Sequence, residues 1–433
     1  MKNFVMPLLL GATALTAMPS NAHAQDQDAD VAALLEEVRA LRAEVEQLRG
    51  EVETAKAGTA DTKIAFKATP EMSTEDGWKF KVRGRLMYDA ATVDGPDAIN
   101  DPGLGFANEL RRGRIGVQGE MPGGFGYKAE VEFADGAAEF TDAYLSYETG
   151  NLTVNVGQLN NFQGLEELTS SLHTSFIERA AFTDAFGFSR RAGLSAEYAA
   201  GQFLVQGGVF TDNFADLDDE NNSVSLDGRI VVMPKMGDNQ LHFGASAHLR
   251  DFNDSADSVR YRQRPAVHTS DTRFVNTGNI AADGQNSYGL EAAGIFGPFH
   301  VAAETHWMRP TGVAGDNPTF FGAYVEGGYI FTGESRGYKG GTFDRIKPIK
   351  GFDEGGFGSL ALNARWDHLD LNDAGIIGGV QNAYQVSLNW KPLDYVLFGL
   401  NYAHIVYDDA AVAAGTDTDY SVNMIGLRSQ IDW

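Results

Sequence analysis

The sequence predicts an all-β fold, a transmembrane antiparallel β-barrel of about 16 strands preceded by an N-terminal α-helical coiled coil. Three observations carry the prediction. Trp78 to Ala90 reads WKFKVRGRLMYDA, which sorts by alternate residues into an apolar set (Phe80, Val82, Leu86, Tyr88) and a set holding Lys79, Lys81, Arg83 and Arg85. Strand side chains alternate between two faces, so the segment separates an oily environment from a wet, cationic one. Nothing after Met18 supplies the ~20 consecutive apolar residues of a membrane-spanning helix, yet amphipathic alternation continues to Trp433.

The chain opens with Lys2, an apolar run from Val5 to Met18 and the small-x-small triplet Ala22-His23-Ala24. Residues 1–24 therefore read as a secretory signal, cut before Gln25. Residues 25–57 carry a heptad array, with Val31, Val38, Val45 and Val52 at a, and Leu34, Leu41, Leu48 and Ala55 at d. Glu37, Glu44 and Glu51 each precede by five residues a cation at Arg42, Arg49 or Lys56. That complementarity suits parallel, in-register copies of one helix and favours a self-associating coiled coil over a single solvated helix. Valine at a with leucine at d leans toward two strands, and the choice between dimer and trimer stays open. Residues 58–76 lack periodicity and read as a linker; residues 77–433 read as the barrel.

Along the barrel, Arg112, Arg114, Gln118 and Glu120 oppose Gly113, Ile115, Val117 and Gly119, and Lys128, Glu130 and Glu132 oppose Tyr127, Val131 and Phe133. Similar faces recur to Ile425, Leu427, Ile431 and Trp433, an aromatic terminal residue of the kind outer-membrane insertion machinery reads. Short turns such as Met121-Pro122-Gly123-Gly124 and Gly297-Pro298 are expected at the periplasmic end, and long polar segments such as Asp212 to Asn222 and Asp251 to Gln285 at the outer end. There is no cysteine, hence no disulfide or thiolate chemistry. The net charge of −25 argues against a nucleic-acid partner and bears on solubility rather than fold.

A family resemblance rests on Arg83-Gly84-Arg85, Leu110-Arg111-Arg112-Gly113-Arg114, Asp142-Ala143-Tyr144-Leu145, Gly157-Gln158-Leu159 running into Gly164 to Ser171, and Phe176-Ile177-Glu178-Arg179. Further pieces are Arg264-Pro265-Ala266-Val267-His268, Asn279 to Gly284, Phe331-Thr332-Gly333-Glu334-Ser335-Arg336 and Gln381-Asn382-Ala383-Tyr384. From Gly77 to Trp433 the chain resembles the phosphate-selective porin O and P family. The resemblance implies a sixteen-stranded trimeric barrel with one loop folded into the lumen as a constriction. Asn160 and Asn161 stand where the family often has lysine.

The expected function is passive diffusion of small anions, phosphate or polyphosphate foremost, through the Gram-negative outer membrane. The candidate pathway residues are Lys79, Lys81, Arg83, Arg85, Arg112, Arg114, Lys128, Arg179 and Arg190. Guanidinium groups make bidentate contacts with phosphate-type oxygens, and a row of modest sites lets an ion enter and leave. The competing reading is that these cations neutralise Glu130, Glu132 and Asp142 on neighbouring strands. Asn160 to Arg190, with Glu166, Glu167, Glu178 and Arg179, either dips into the pore or lies on the surface. Expected partners are small anions, outer-membrane lipid and lipopolysaccharide, two further copies of the chain, and cell wall through the coiled coil. Alternatives are a general or organic-acid diffusion pore, or an envelope tether with the barrel as anchor.

No enzymatic motif, metal site or cofactor is expected. His242 with His248, and His300 with His306, stand about 20 Å apart along their strands, too far for one metal. Asp212, Asp216, Asp218, Asp219 and Glu220 lack an EF-hand spacing and read as a solvated loop.

Overall fold

A computed structural model describes residues 36–51, 62–134, 136–216 and 222–433. The chain divides into two compact units, Met1–Thr62 and Lys63–Trp433. In the first, residues 36–51 are helical, with Val38, Leu41, Val45 and Leu48 exposed. Residues 1–24 and the outer heptad positions Val31, Leu34, Val52, Ala55 and Lys56 lie outside the described residues.

The second unit is a closed antiparallel barrel of 16 strands. These are β1 (Lys79–Asp94), β2 (Gly105–Met121), β3 (Phe125–Glu132), β4 (Glu139–Thr149), β5 (Leu152–Asn160), β6 (Arg190–Ala200), β7 (Phe203–Phe210) and β8 (Val224–Val232). The circuit continues with β9 (Asn239–Asp251), β10 (Gly284–Phe296), β11 (Phe299–Thr311), β12 (Phe320–Ile330), β13 (Ser359–Asp373), β14 (Ile376–Leu393), β15 (Val396–Asp408) and β16 (Tyr420–Asp432). Each strand pairs with the next, and β16 closes on β1 from Asn423↔Asp94 to Asp432↔Arg85. Closure leaves no unpaired edge, which a wall in lipid requires.

Alternation sorts the two faces as expected. Leu86, Tyr88, Leu145, Val156, Leu194 and Leu290 are exposed on the outside, while Asp89, Glu130, Arg229, Glu304 and Arg365 are buried inside. The seam is held by Arg428, which donates to both carboxylate oxygens of Asp89 at 2.8 and 2.7 Å. On the outside, the Trp433 ring covers Gly84; a Cβ there would lie 2.3 Å from the indole. The glycine between Arg83 and Arg85 thus makes room for the terminal aromatic.

Two departures from expectation concern connections. Residues 62–74, read as a linker, include two short strands, Thr62–Lys67 and Thr69–Thr74, and the second pairs with the start of β1 through Glu71↔Lys81 and Ser73↔Lys79. Turn lengths do not alternate throughout. The long connection 331–358 lies at the end where β1 begins and β16 ends, and the tight turn 374–375 lies at the opposite end. Both exceptions flank β13, and they place a second long segment inside the barrel.

Candidate functional site

The wall from β1 to β4 sets the register of the charges. Arg85 faces Arg114 across β1 and β2, and Gly116 faces both Arg83 and Glu130. Like charges directly opposed are destabilising, so an anion is needed between them. Glu130 fills that position, 3.3 Å from Nη2 of Arg85, 3.1 Å from Nη1 of Arg114 and 3.9 Å from Nε of Arg83. Arg114 also donates to Glu132 at 2.6 Å. Asp142 bridges Lys128 and Arg190, the latter at 2.7 Å. Lys79 pairs with Glu120 at 2.7 Å near the solvent. The neutralising role weighed for these cations is therefore realised for most of them.

Arg111 is a functional-site residue that strict alternation misses. The β1–β2 register passes from Met87↔Arg112 to Tyr88↔Leu110, which leaves Arg111 as an extra, bulged residue. A bulge re-aims the side chain, so Arg111 and Arg112 both face the lumen. Arg111 grips Glu178 of the 161–189 loop at 2.7 and 3.1 Å. Burial opposes the charged form of Glu178, yet Arg111, with Arg428 also near, holds its carboxyl well below the usual carboxylate range.

The 161–189 loop folds inward. Its short helix Leu165–Leu168 begins against Glu304 on β11, whose carboxylate accepts the N–H groups of Leu165 at 2.9 Å and Glu166 at 2.6 Å. Gly164 permits this approach, since a Cβ there would lie 2.5 Å from Glu304. Asp367 accepts the N–H of Ala181 at 2.8 Å, and Asn401 that of Ile177 at 3.1 Å. Arg179 donates to the carbonyls of Glu166, Glu167 and Thr169, closing the loop on itself. Leu165, Phe182 and Phe186 pack with Tyr261, Phe320 and Tyr324 into an apolar core inside the lumen.

What stays open is a channel along β1 to β6. A cavity of about 650 Å³ is lined by Arg83, Arg85, Arg112, Arg114, Lys128, Arg179 and Arg190 of the predicted set, together with Arg111 and Arg229. Among the described residues its lining holds nine cationic side chains and seven carboxylates, and Glu130 and Glu291 stand behind it as partners of Arg83, Arg85, Arg114 and Arg229. A second cavity of about 760 Å³, toward the end where β1 begins, is lined by Lys79 and Lys81. The two share Lys128 and Tyr144, and together their linings include all nine predicted residues. Arg112 and Lys81 form no ion pair or hydrogen bond among the described residues, and Nε of Arg112 is buried without a partner. Asn160 lines the 650 Å³ cavity, while Asn161 is turned away to donate to Asp227 at 2.7 Å.

The other half of the lumen is filled. Arg365 bridges Glu166 at 2.7 Å and Glu326 at 2.6 Å and lies over Phe176 and Tyr324. Arg336, carried in by the 331–358 segment, donates to Glu326 and Ser175 at 3.0 Å each and to the His173 carbonyl at 3.1 Å. Arg229 donates to Glu291 and to the carbonyl of Gly341. Distances along a strand say nothing about neighbours across it: His248 and His306, from different strands, stack with ring centroids 6.3 Å apart. Among the described residues no group of three histidines or carboxylates is placed to hold a metal. Asp212 accepts from Ser223, Ser255 and Arg250, whereas Asp218, Asp219 and Glu220 lie outside the described residues.

The family described as "Phosphate-selective porin O and P" matches residues 80–433. An uncharacterised protein of Caulobacter vibrioides is 45% identical over 389 residues, spanning 88% of this chain and 79% of its own length. Porin O of Pseudomonas aeruginosa is 27% identical over 409 residues, spanning 84% of this chain and 91% of its own. Among solved structures, the anion-selective porin of Comamonas acidovorans superposes with a TM-score of 0.53 at 12% identity, covering 82% of this chain and 100% of that one. OmpT of Vibrio cholerae does so with a TM-score of 0.52 at 13% identity, covering 83% and 99%. The two superpositions show the shared barrel fold. The match over the entire barrel places this chain in the phosphate-selective porin O and P family, outer-membrane β-barrel channels.

Proposed function

We propose that this porin conducts small anions, phosphate or polyphosphate among them, along the wall from β1 to β6. The observation that carries the reading is Arg112, a guanidinium that faces the 650 Å³ cavity without a carboxylate partner, beside Arg111, Arg114 and Arg179. The paired cations are balanced by their carboxylates, so the net positive charge offered to the cavity comes from Arg112, which leaves donors free for a passing oxyanion. In a narrow, low-dielectric channel the field of that charge is weakly screened. Lys128 and Lys81 continue the path toward the end where β1 begins, so a tethering role for the barrel would leave this continuous basic channel unexplained.

The same reading includes a homotrimer, a leader over residues 1–24 that is removed on export, and an N-terminal coiled coil over residues 25–57 that contacts the cell wall. OmpT of Vibrio cholerae has been solved in a trimer form. The exposed Val38, Leu41, Val45 and Leu48 of the 36–51 helix support self-association.

The test is the reversal potential of single channels in a potassium chloride gradient. The wild-type protein is expected to prefer anions, and added phosphate to reduce the chloride current. Arg112→Gln should move the potential toward cations and remove the phosphate effect. A cation-preferring wild type, or a variant identical to it, would overturn the proposal. Arg112 is the cleaner target than Arg85, whose reversal to glutamate would set a buried like charge against Glu130.

A further inference from the structure

The filled half of the lumen contains a cavity that conduction does not use. It measures about 30 Å³ and lies toward the end where β1 begins. One side is the tip of the first inserted loop, Leu172 to Ser175; the other is the 331–358 segment, through Arg336 and Asp344. β11, β13 and β14 close it with His300, Asn363 and Lys391.

Nitrogen donors converge there, and several have no hydrogen-bond partner of good geometry. Lys391 is 5% exposed and forms no ion pair or hydrogen bond among the described residues. His300, 2% exposed, has neither ring nitrogen in a hydrogen bond of good geometry, and Nδ1 of His173 is buried without a partner. The nearby cations are already engaged, Arg336 by Glu326 and Arg345 by Asp432. The one acid on the rim, Asp344, is 46% exposed, accepts the N–H of Arg345 and stands 3.4 Å from Nε2 of His173.

Taking an ammonium out of water costs several kcal/mol in order of magnitude, and Asp432, Asp394 and Asp344 near Lys391 offset part of it without forming an ion pair. Water dipoles answer part of that cost and an anion answers more. The cavity exceeds the roughly 10–15 Å³ that one water needs, so a water or a small anion fits between these donors.

We propose that a halide-sized inorganic anion, chloride in the cell envelope, binds between Lys391, His300 and His173. Such an ion would join the tip of the constriction loop to the 331–358 segment and so help hold the loop against the filled wall. The inference does not depend on what the open channel conducts.

Crystals of the full chain soaked in bromide test it by anomalous diffraction. A peak is expected within hydrogen-bond distance of the Lys391 ammonium, lost on back-soaking into chloride, retained in phosphate, and absent from Lys391→Met crystals. No peak at Lys391, displacement of the peak by phosphate, or an unchanged peak in Lys391→Met would each overturn the proposal. The wild-type arms decide it even if the variant does not fold, and peaks beside Arg112 report separately on the open channel.

Discussion

The two halves of the lumen use the same residue types to opposite ends. Along β1 to β6, Arg85, Arg114 and Arg190 pair with carboxylates of their own wall and leave a channel beside them, while Arg111 reaches the inserted loop through Glu178. Across β8 to β14, arginines pair with carboxylates that hold inserted segments, as Arg365 does with Glu166 and Arg336 with Glu326, and the space is filled. The difference lies in where the partner sits. A pair made within the wall leaves the lumen free, while a pair with one member on an inserted segment holds that segment against the wall. Charge content alone does not distinguish a channel from a plug.

The sharpest way to break this comparison is Arg365→Met. It leaves Glu166 and Glu326 buried beside each other without their shared cation, and losing one partner of a buried pair costs ~3–5 kcal/mol. Denaturant unfolding of the variant should show a loss of that order, and single channels should become larger and noisier as the loop leaves the wall. Unchanged stability would mean that the filled half is held by apolar packing of Leu165 and Phe182 instead.

A smaller effect should come from pH. Burial lowers the pKa of His173 at the loop tip to about 3, helped by the positive charges of Arg345 and Lys391 and opposed by Asp344. A free imidazole protonates near ~6.5, so between these values the unfolded chain binds more protons than the folded one. The sign follows: this residue's contribution falls as pH drops below about 6.5, by at most ~1.4 kcal/mol per pH unit. Unfolding midpoints at pH 7 and pH 5 should differ more in the wild type than in His173→Asn. Equal differences would place the acid sensitivity elsewhere in the filled half.

The smallest effect on stability is expected from Arg112→Leu in the open half. The substitution breaks no ion pair, and its effect should stay within ~0.5 kcal/mol by denaturant unfolding. A loss comparable to that of Arg365→Met would show that the open wall, too, depends on each of its cations.

Much of this was legible without coordinates. Period-two alternation separates the faces, so Lys79, Lys81, Arg83, Arg85, Arg112, Arg114 and Lys128 had to share one wall, and the barrel's strand count followed. Arg179 and Arg190 could be placed only to within a loop and its end, and the inward course of that loop rested on resemblance. Arg111 was hidden because a bulge suspends alternation at one residue, a local event decided by strand pairing. Arg229 was hidden because it comes from β8, beyond the strands whose alternation marked the basic wall, and joins the cavity beside Gln206 of β7. The neighbourhood of His248 and His306 was hidden likewise, because it runs between strands.

Side-chain order along a chain determines which face a residue occupies, because backbone geometry enforces period two at every step. It does not determine which of several acids a cation meets, since Glu130 and Glu326 on strands and Glu166 on an inserted loop become neighbours of arginines only once the barrel closes and the loop enters it. That choice, and with it the division of one polar lumen into a channel and a filled half, is made by closure of the barrel and the paths of the 161–189 and 331–358 segments.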